Sequence, residues 1–376
     1  MWSYLETLVM WKDSMRRKLL KLLCCPDCRQ EKLVLTIYES EGDGENLKIV
    51  EGEIRCDACG SRFPVISSIP RMLPISLRRF LVLFHRDFFK RHPDLVPGNG
   101  IELPDEKVAQ TLKGYSYQHV QLHDQKKEIA RWRNNFCDSI PVEPDFFQGK
   151  IGADIGCGEG RHLYWAHEFG AEMVGLDLSE GVEIASRNTA ECPHCHVVQG
   201  DVYHLPFKEG VFDFAYSIGV LHHLPNPQEG FLRVLPSLRP GGKIFIWVYG
   251  LQEMRLWYRL SHLTWLRRLG PHLPRWTQYL VSLGLASALE LGIWLPCRIL
   301  SLFSGGDSII NRVPLGDAYR RSFKAKIRSV FDRIQPPVTY YHNAEELVGW
   351  FRKAGFINVL ALNRDGRGWM ATGEKK

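Results

Sequence analysis

An α/β fold around a mostly parallel sheet is what residues 149–376 of this 376-residue chain predict, on three observations. From Lys150 to Gly250, short apolar runs alternate with stretches of helical periodicity, the pattern of βαβ units. The first run, Ile151 to Ile155, enters a glycine turn, Gly156-Cys157-Gly158-Glu159-Gly160, that opens onto a helical stretch from Arg161 to Phe169. The chain closes as helix, strand, strand: Glu345 to Ala354, Ile357 to Leu362 and Gly368 to Thr372. With 45% hydrophobic and 24% charged residues, the composition excludes a disordered, collagen-like or polytopic membrane protein. The formal charge of +6 is too mild to identify a nucleic-acid binder by itself.

Three regions are expected: 1–75, a helix and a small metal ribbon; 76–148, a helical connector; and 149–376, the α/β domain, interrupted by a helical insertion at about 251–335. Met1 to Leu23 carries Glu6, Lys12, Asp13, Arg16, Arg17, Lys18 and Lys21, with no uninterrupted apolar core and no small-residue cleavage site. It reads as an amphipathic helix rather than an export signal, and the chain is expected in the cytoplasm, with a peripheral position on a membrane surface as the alternative. Leu280 to Cys297 is long enough to span a bilayer, but Glu290 interrupts it and Pro296 ends it, so a buried or interfacial helix is expected there.

Ten cysteines in a chain this long are too few for a secreted disulfide scaffold. Four of them form two C-x-x-C units, Cys25-Pro26-Asp27-Cys28 and Cys56-Asp57-Ala58-Cys59, separated by 27 residues. Two tight turns offering two thiolates each suit tetrahedral zinc, and Gly60 after the second permits a left-handed backbone. Cys25, Cys28, Cys56 and Cys59 are therefore the expected ligands of a structural zinc, which would stabilise a ribbon too small to fold on its core alone. A further run, Cys192-Pro193-His194-Cys195-His196, has no complementary pair and reads as a surface loop, with a second metal as the alternative.

In the glycine turn, the backbone can approach a ligand closely and the next helix presents its positive end. Asp177, closing the second strand, is placed to hold ribose hydroxyls. A nicotinamide fingerprint, G-x-G-x-x-G, would need glycine at 161, where the chain has Arg161. Further along come Val197 to Val202, a strand ending in Asp201; Leu205-Pro206-Phe207; the strand Phe212 to Ser217; Leu221-His222-His223-Leu224; and Leu238-Arg239-Pro240-Gly241-Gly242-Lys243 leading into Ile244 to Tyr249.

The turn Asp154-Ile155-Gly156-Cys157-Gly158-Glu159-Gly160, followed by these words in this order, resembles motif I and its sequels in class I S-adenosylmethionine (SAM)-dependent methyltransferases. That resemblance covers about 149–250 and 340–373, and implies a Rossmann-like seven-stranded sheet binding SAM. The implied cofactor set is Asp154, Gly156, Cys157, Gly158 and Gly160 at the turn, Asp177 and Leu178 after the second strand, Asp201 and Val202 after the third, and Ser217 on the fourth. The residue matching Asp201 commonly meets the adenine amino group in that family. Upstream, Gly114-Tyr115-Ser116-Tyr117-Gln118-His119 is similar to an aromatic segment that caps the cofactor there; packing is the alternative for Tyr115 and Tyr117. The ribbon is similar to the Trm112-like zinc-ribbon family through Leu19 to Leu23, Gly52 to Cys56, Phe63 to Ile66 and Ile69-Pro70-Arg71-Met72-Leu73. Members of that family occur as partners of methyltransferases or fused in front of them, which implies a scaffolding role for the zinc.

Displacement at a sulfonium needs collinear donor and acceptor and exclusion of water; a base is needed only where the acceptor carries a proton. His222 and His223, after the fourth strand, are the candidate catalytic bases, with helix capping or pocket shaping as the alternative. Ser217-Ile218-Gly219-Val220 stands where amino-group methylases of adenine or glutamine carry an Asn/Asp-Pro-Pro-Tyr-like segment. Between Met254 and Gln335, 13 lysines and arginines face 4 acids, a net of +9 that leaves the rest of the chain at about −3. Trp257, Tyr258, Trp265, Trp276, Tyr279 and Trp294 are interleaved with them. That mixture suits a lid over an apolar substrate or contact with anionic lipid, and would also suit RNA. The expected acceptor is a small molecule or a lipid-linked one. The alternatives are RNA or a translation protein, and a scaffold that binds SAM without catalysis.

Overall fold

The computed structural model describes residues 17–42, 47–98, 106–122, 129–250, 269–310, 312–313, 315–363 and 368–376. Its strands are β1 (Leu33–Glu41), β2 (Lys48–Cys56), β3 (Arg62–Ile66), β4 (Ile69–Met72), β5 (Ile151–Ile155), β6 (Glu172–Asp177), β7 (Cys195–Gly200), β8 (Phe212–Ile218), β9 (Leu238–Tyr249), β10 (Ile357–Leu362) and β11 (Gly368–Glu374). They form one 11-stranded sheet in the order β1-β2-β3-β4-β7-β6-β5-β8-β9-β11-β10. The seven strands from β7 to β10 are the expected Rossmann-like sheet. β5 to β9 pair in parallel, and β11 enters antiparallel between β9 and β10. Buried on both faces, the central strands are near-continuous apolar runs, as a parallel sheet requires.

The helices used below are α1 (Ile75–Phe84), α2 (Glu106–Gln121), α3 (Ile129–Ser139), α4 (Arg161–Glu168), α5 (Gly181–Asn188), α6 (Pro227–Val234), α7 (Arg275–Leu289), α8 (Leu295–Leu300), α9 (Phe323–Ile334) and α10 (Ala344–Lys353). Local chemistry sets several of their starts. Asn226, Ser322 and Asn343 each cap the helix that follows by accepting a backbone N–H, from Glu229, Ala325 and Glu346 respectively.

The ribbon is not a separate bead on the chain. β1 to β4 form an antiparallel meander, and β4 then pairs in parallel with β7, Arg71 opposite Gln199 and Met72 opposite Gly200. Leu23, Cys25 and Phe63 share a core with Phe207, Phe212 and Val198 of the α/β domain. At the joint, the fully buried Arg71 donates to Gln199 Oε1 at 2.9 Å and to the Ile66 carbonyl at 3.3 Å, and pairs with Glu180 and Glu183. His85, from the end of α1, reaches Glu180 at 3.0 Å. Of the amphipathic helix expected over 1–23, residues 1–16 lie outside the described residues; Arg17–Leu20 is helical, and Leu19 and Leu23 are buried.

Of the two expectations for the apolar run of the insertion, a buried or an interfacial helix, burial is not met. Arg275–Leu300 is one continuous 26-residue helical stretch, and only 22% of its most apolar window is buried. A π-turn at Glu290–Trp294 joins α7 to α8. Pro296 is the reason: it has no N–H to give and its ring crowds the preceding turn, so the helix widens ahead of it. Trp257, Tyr258 and Trp265 of the insertion lie outside the described residues.

Candidate functional site

A cavity of about 690 Å³ opens where the carboxyl ends of β5, β6, β7 and β8 meet, the place at which open α/β sheets bind ligands. Its floor is the glycine turn. Gly156, Gly158 and Gly160 all have positive φ (84°, 52° and 75°), which an L side chain rarely adopts. A side chain at Gly158 would run into the His119 ring at 3.0 Å, and one at Gly156 into Val220 at 2.3 Å, so bare backbone is required at both.

Asp177 faces the cavity from the tip of β6. Its Oδ2 accepts the Gly158 N–H at 2.8 Å, and its Oδ1 accepts the Ser179 N–H at 2.8 Å and hydroxyl at 2.6 Å. These bonds fix the carboxylate against the turn. Asp201 lies at the tip of β7, bonded to His204 Nδ1 at 2.7 Å, and this pairing raises the pKa of His204. Two acidic side chains flanking a bare glycine turn fit the ribose and adenine of a SAM molecule.

The expected cofactor residues divide in two. Gly156, Cys157, Gly158, Asp177, Leu178, Asp201 and Val202 line the cavity. Asp154, Gly160 and Ser217 are absent from its lining and support it from behind. Asp154 is buried beneath the turn, and burial, then the Asp177 charge, push its carboxyl well above the ordinary range. Gly160 caps α4 in a left-handed conformation against Ala185, and the Ser217 hydroxyl donates to the Ile155 carbonyl at 2.9 Å. Cys157 packs against Gly175, and burial raises its thiol well above the usual value, so it fills space rather than reacts.

The histidine pair also divides. His223 lines the cavity, and its Nδ1 donates to the Val338 carbonyl at 3.0 Å. That bond leaves Nε2 as the basic nitrogen of the neutral ring. His222 lies outside the lining, stacked on Tyr249 at 3.9 Å between ring centroids, and its Nδ1 receives the Tyr249 N–H at 3.4 Å. The aromatic segment on α2 is resolved likewise: Tyr115 lines the cavity, 5.9 Å from the His223 ring, whereas Tyr117 packs on Phe331 of α9.

Sequence reasoning missed the roof. α9 brings Arg328 to Glu159 of the glycine turn at 2.7 Å, and His119 of α2 reaches the same carboxylate at 3.2 Å. Burial alone would raise Glu159; the Arg328 guanidinium and the His119 bond instead hold it well below the ordinary range. Arg161, Arg321, Trp132, Trp247 and Tyr249 complete the walls. The available signal was Glu159 itself, since a carboxylate inside a buried turn demands a cation from elsewhere in the chain.

In the ribbon, the four thiols converge. Cys25 and Cys59 Sγ are 3.7 Å apart, Cys28 and Cys56 Sγ 3.6 Å, and all four lie within 4.8 Å of one another. A tetrahedral zinc with Zn–S of about 2.3 Å has S···S edges of about 3.8 Å, so the set fits that ion. Arg29 and Gly60, each next after the second cysteine of its pair, both have positive φ (63° and 77°), which closes the two knuckles. Cys192, by contrast, meets His167 and Glu168, while Cys195 Sγ contacts the Leu163 carbonyl at 3.9 Å.

Residues 153–246 match the family model of the methyltransferase domain, and residues 16–67 match that of Trm112p-like protein. The chain is 34% identical over 108 residues to a tRNA (carboxymethyluridine(34)-5-O)-methyltransferase of Saccharomyces cerevisiae, a match covering 28% of this chain and 37% of that one. A protein of the same name from Schizosaccharomyces pombe is 30% identical over 158 residues, 41% of this chain and 61% of the relative. A sterol 4-C-methyltransferase of Caenorhabditis elegans is 32% identical over 98 residues, 25% of this chain and 29% of the relative. The chain thus spans about a third to three fifths of the length of these relatives.

Proposed function

We propose that this chain, in which a methyltransferase domain follows a Trm112-like ribbon, transfers the methyl group of SAM to RNA. The observation that carries the transferase reading is the cavity floor, with Gly156 and Gly158 bare and Asp177 held by one hydrogen bond from the turn and two from Ser179. SAM, when bound, supplies a methyl group already activated for displacement. The chain's own residues have simpler tasks: Asp177 and Asp201 hold the nucleoside, and α2 and α9 exclude water from above. Zinc held by Cys25, Cys28, Cys56 and Cys59 would fix the ribbon and take no part in the reaction.

The RNA reading is supported by the tRNA methyltransferases among the relatives and by the walls of the cavity. Tyr115, Trp132, Trp247 and Tyr249 offer ring faces on which a splayed base stacks, and Arg161 and Arg321 suit its phosphates. His223, with Nε2 as its basic nitrogen, serves only an acceptor that must lose a proton. A second reading, a small or lipid-linked acceptor, is favoured by one observation: α9, which lines the cavity, packs against the outward-facing apolar helix α7.

Methyl-tritiated SAM, incubated with the protein and either total tRNA or an organic-extractable lipid fraction, separates these readings. Label in tRNA alone supports the first, label in lipid alone overturns it, and label in neither leaves a SAM-binding scaffold. Asp177→Ala should weaken SAM binding more than a hundredfold by calorimetry while metal content stays unchanged; unaltered affinity would overturn the ribose assignment. If the acceptor carries a proton, His223→Asn should lower kcat by a factor of about 10²–10⁴ with little change in SAM affinity.

A further inference from the structure

The face that α7 and α8 turn outward runs against the usual order of a surface helix. Buried residues of α7 include Gln278 and Ser282, spaced four apart with Ala286 on one face. Both polar side chains are satisfied by backbone: Gln278 Nε2 donates to the Gly270 and Leu273 carbonyls at 2.8 and 3.0 Å, and the Ser282 hydroxyl donates to the Gln278 carbonyl at 2.7 Å. The opposite face carries Trp276 and Leu280, 66% and 53% exposed, and beyond the π-turn Leu291 and Leu302, 70% and 81% exposed. Leu295 and Ile299 continue the row at the same four-residue spacing. No charged residue occurs from 276 to 289. Gln278 and Ser282 thus share the buried side with Ala286, Trp294 and Cys297, while an apolar row faces outward along a helical stretch of 26 residues, about 39 Å long.

We infer that this face rests on an anionic lipid bilayer, lying along its surface with the row from Trp276 to Leu302 in the acyl boundary. Three observations select the bilayer as the occupant. An exposed apolar row on a helix with no charged residue from 276 to 289 matches what membrane-surface helices bury. The insertion sequence that holds this helix carries a net +9 while the rest of the chain is about −3, a charge of the sign that anionic lipid attracts. The inward side of α7 is packed on α9 through Ala286, Ile327, Val330 and Ile334, which holds the helix against the protein as a surface helix requires. Glu290, the acid within the stretch, is turned aside to Lys326 at 2.6 Å and Arg298 at 3.2 Å, so its charge is already neutralised. Because α9 also lines the cavity, the bilayer would lie one helix away from the acceptor site, and this holds whichever acceptor the cavity takes.

Co-sedimentation of the full chain with vesicles of equal parts phosphatidylglycerol and phosphatidylcholine tests the inference. Wild type should partition into the pellet and keep part of its binding in 0.5 M salt, where electrostatic attraction is screened and apolar burial is not. The double variant Leu291→Glu with Leu302→Glu should lose at least tenfold in partition coefficient while binding SAM as wild type does. Failure of wild type to bind vesicles, or equal binding by the variant, overturns the inference. A wild-type dimer in solution that the same substitutions dissociate, without vesicle binding, would assign the face to a second copy and overturn it as well.

Discussion

Two regions of this protein treat buried polarity in opposite ways. Where the ribbon meets the sheet, a guanidinium is buried whole, and its two Nη groups meet Gln199 from β7, the Ile66 carbonyl from the ribbon, and Glu180 and Glu183 at the start of α5. In the insertion, a row of apolar side chains faces outward, while Gln278 and Ser282 are buried on the packed side of the helix. A buried ion pair is an uncertain source of net stability, but removal of one member leaves the other charged and dry. A leucine as exposed as Leu291 or Leu302 contributes little to the fold of the isolated chain. The joint is therefore built for the protein's own integrity, and the insertion face for contact with something else.

The largest effect should come from breaking the joint. Arg71→Ala leaves Glu180 and Glu183 without their guanidinium and Gln199 without its donor, at a cost of about 3–5 kcal/mol. Denaturant unfolding should show the loss across the whole chain, since Leu23, Cys25 and Phe63 share their core with Phe207 and Phe212. Metal removal by a chelator should act likewise, lowering one cooperative transition. A separate low-temperature transition of the ribbon, with the sheet unaffected, would show that the continuous sheet does not couple the two.

How far the sequence foretold these two regions differs for a physical reason. The glycine turn, the acidic strand tips and the paired C-x-x-C units are local patterns, because the backbone geometry they need is set within a few residues. The placement of Asp177, Asp201 and the four thiols followed from them. The merging of ribbon and sheet did not, because pairing of β4 with β7 joins residues more than a hundred positions apart and leaves no periodicity in either strand. Arg71 could be quoted as part of a familiar word without its burial being foreseen. The roof escaped for the same reason: Arg328 and Glu159 are 169 positions apart. In the insertion the pattern itself misled. A charge-free apolar run reads equally as a core helix or an interfacial one, and only the inward position of Gln278 and Ser282 separates them.

Acid should loosen the joint next. Burial alone would raise the carboxyl of Glu180; the hydrogen bond from His85 and the Arg71 charge hold it instead at about 2, against an ordinary 4.5. A group depressed in the folded state stabilises the fold above its unfolded pKa. That contribution is lost as the pH falls from about 4.5 towards 2, and amounts to no more than about 3 kcal/mol. Thermal melts across this window should show the slope, and Glu180→Gln should flatten it. An unchanged slope in that variant would move the acid sensitivity to other carboxylates.

The smallest effects make the sharpest contrast, because they set two faces of one helix against each other. Gln278→Leu adds apolar surface to the inward face of α7, yet should destabilise by about 1–3 kcal/mol, because the Leu273 carbonyl loses the Gln278 donor and Arg275 loses its acceptor. Leu291→Glu puts a charge on the outward face and should change stability in solution by less than about 0.5 kcal/mol, since that side chain has little packing to lose. On an ordinary amphipathic surface helix the first sign would be reversed, because the inward leucine would be welcome. Urea unfolding of the two variants beside wild type reads this directly. A stabilising Gln278→Leu together with a strongly destabilising Leu291→Glu would mean that α7 packs with its leucines inward, and the contrast between joint and insertion would disappear.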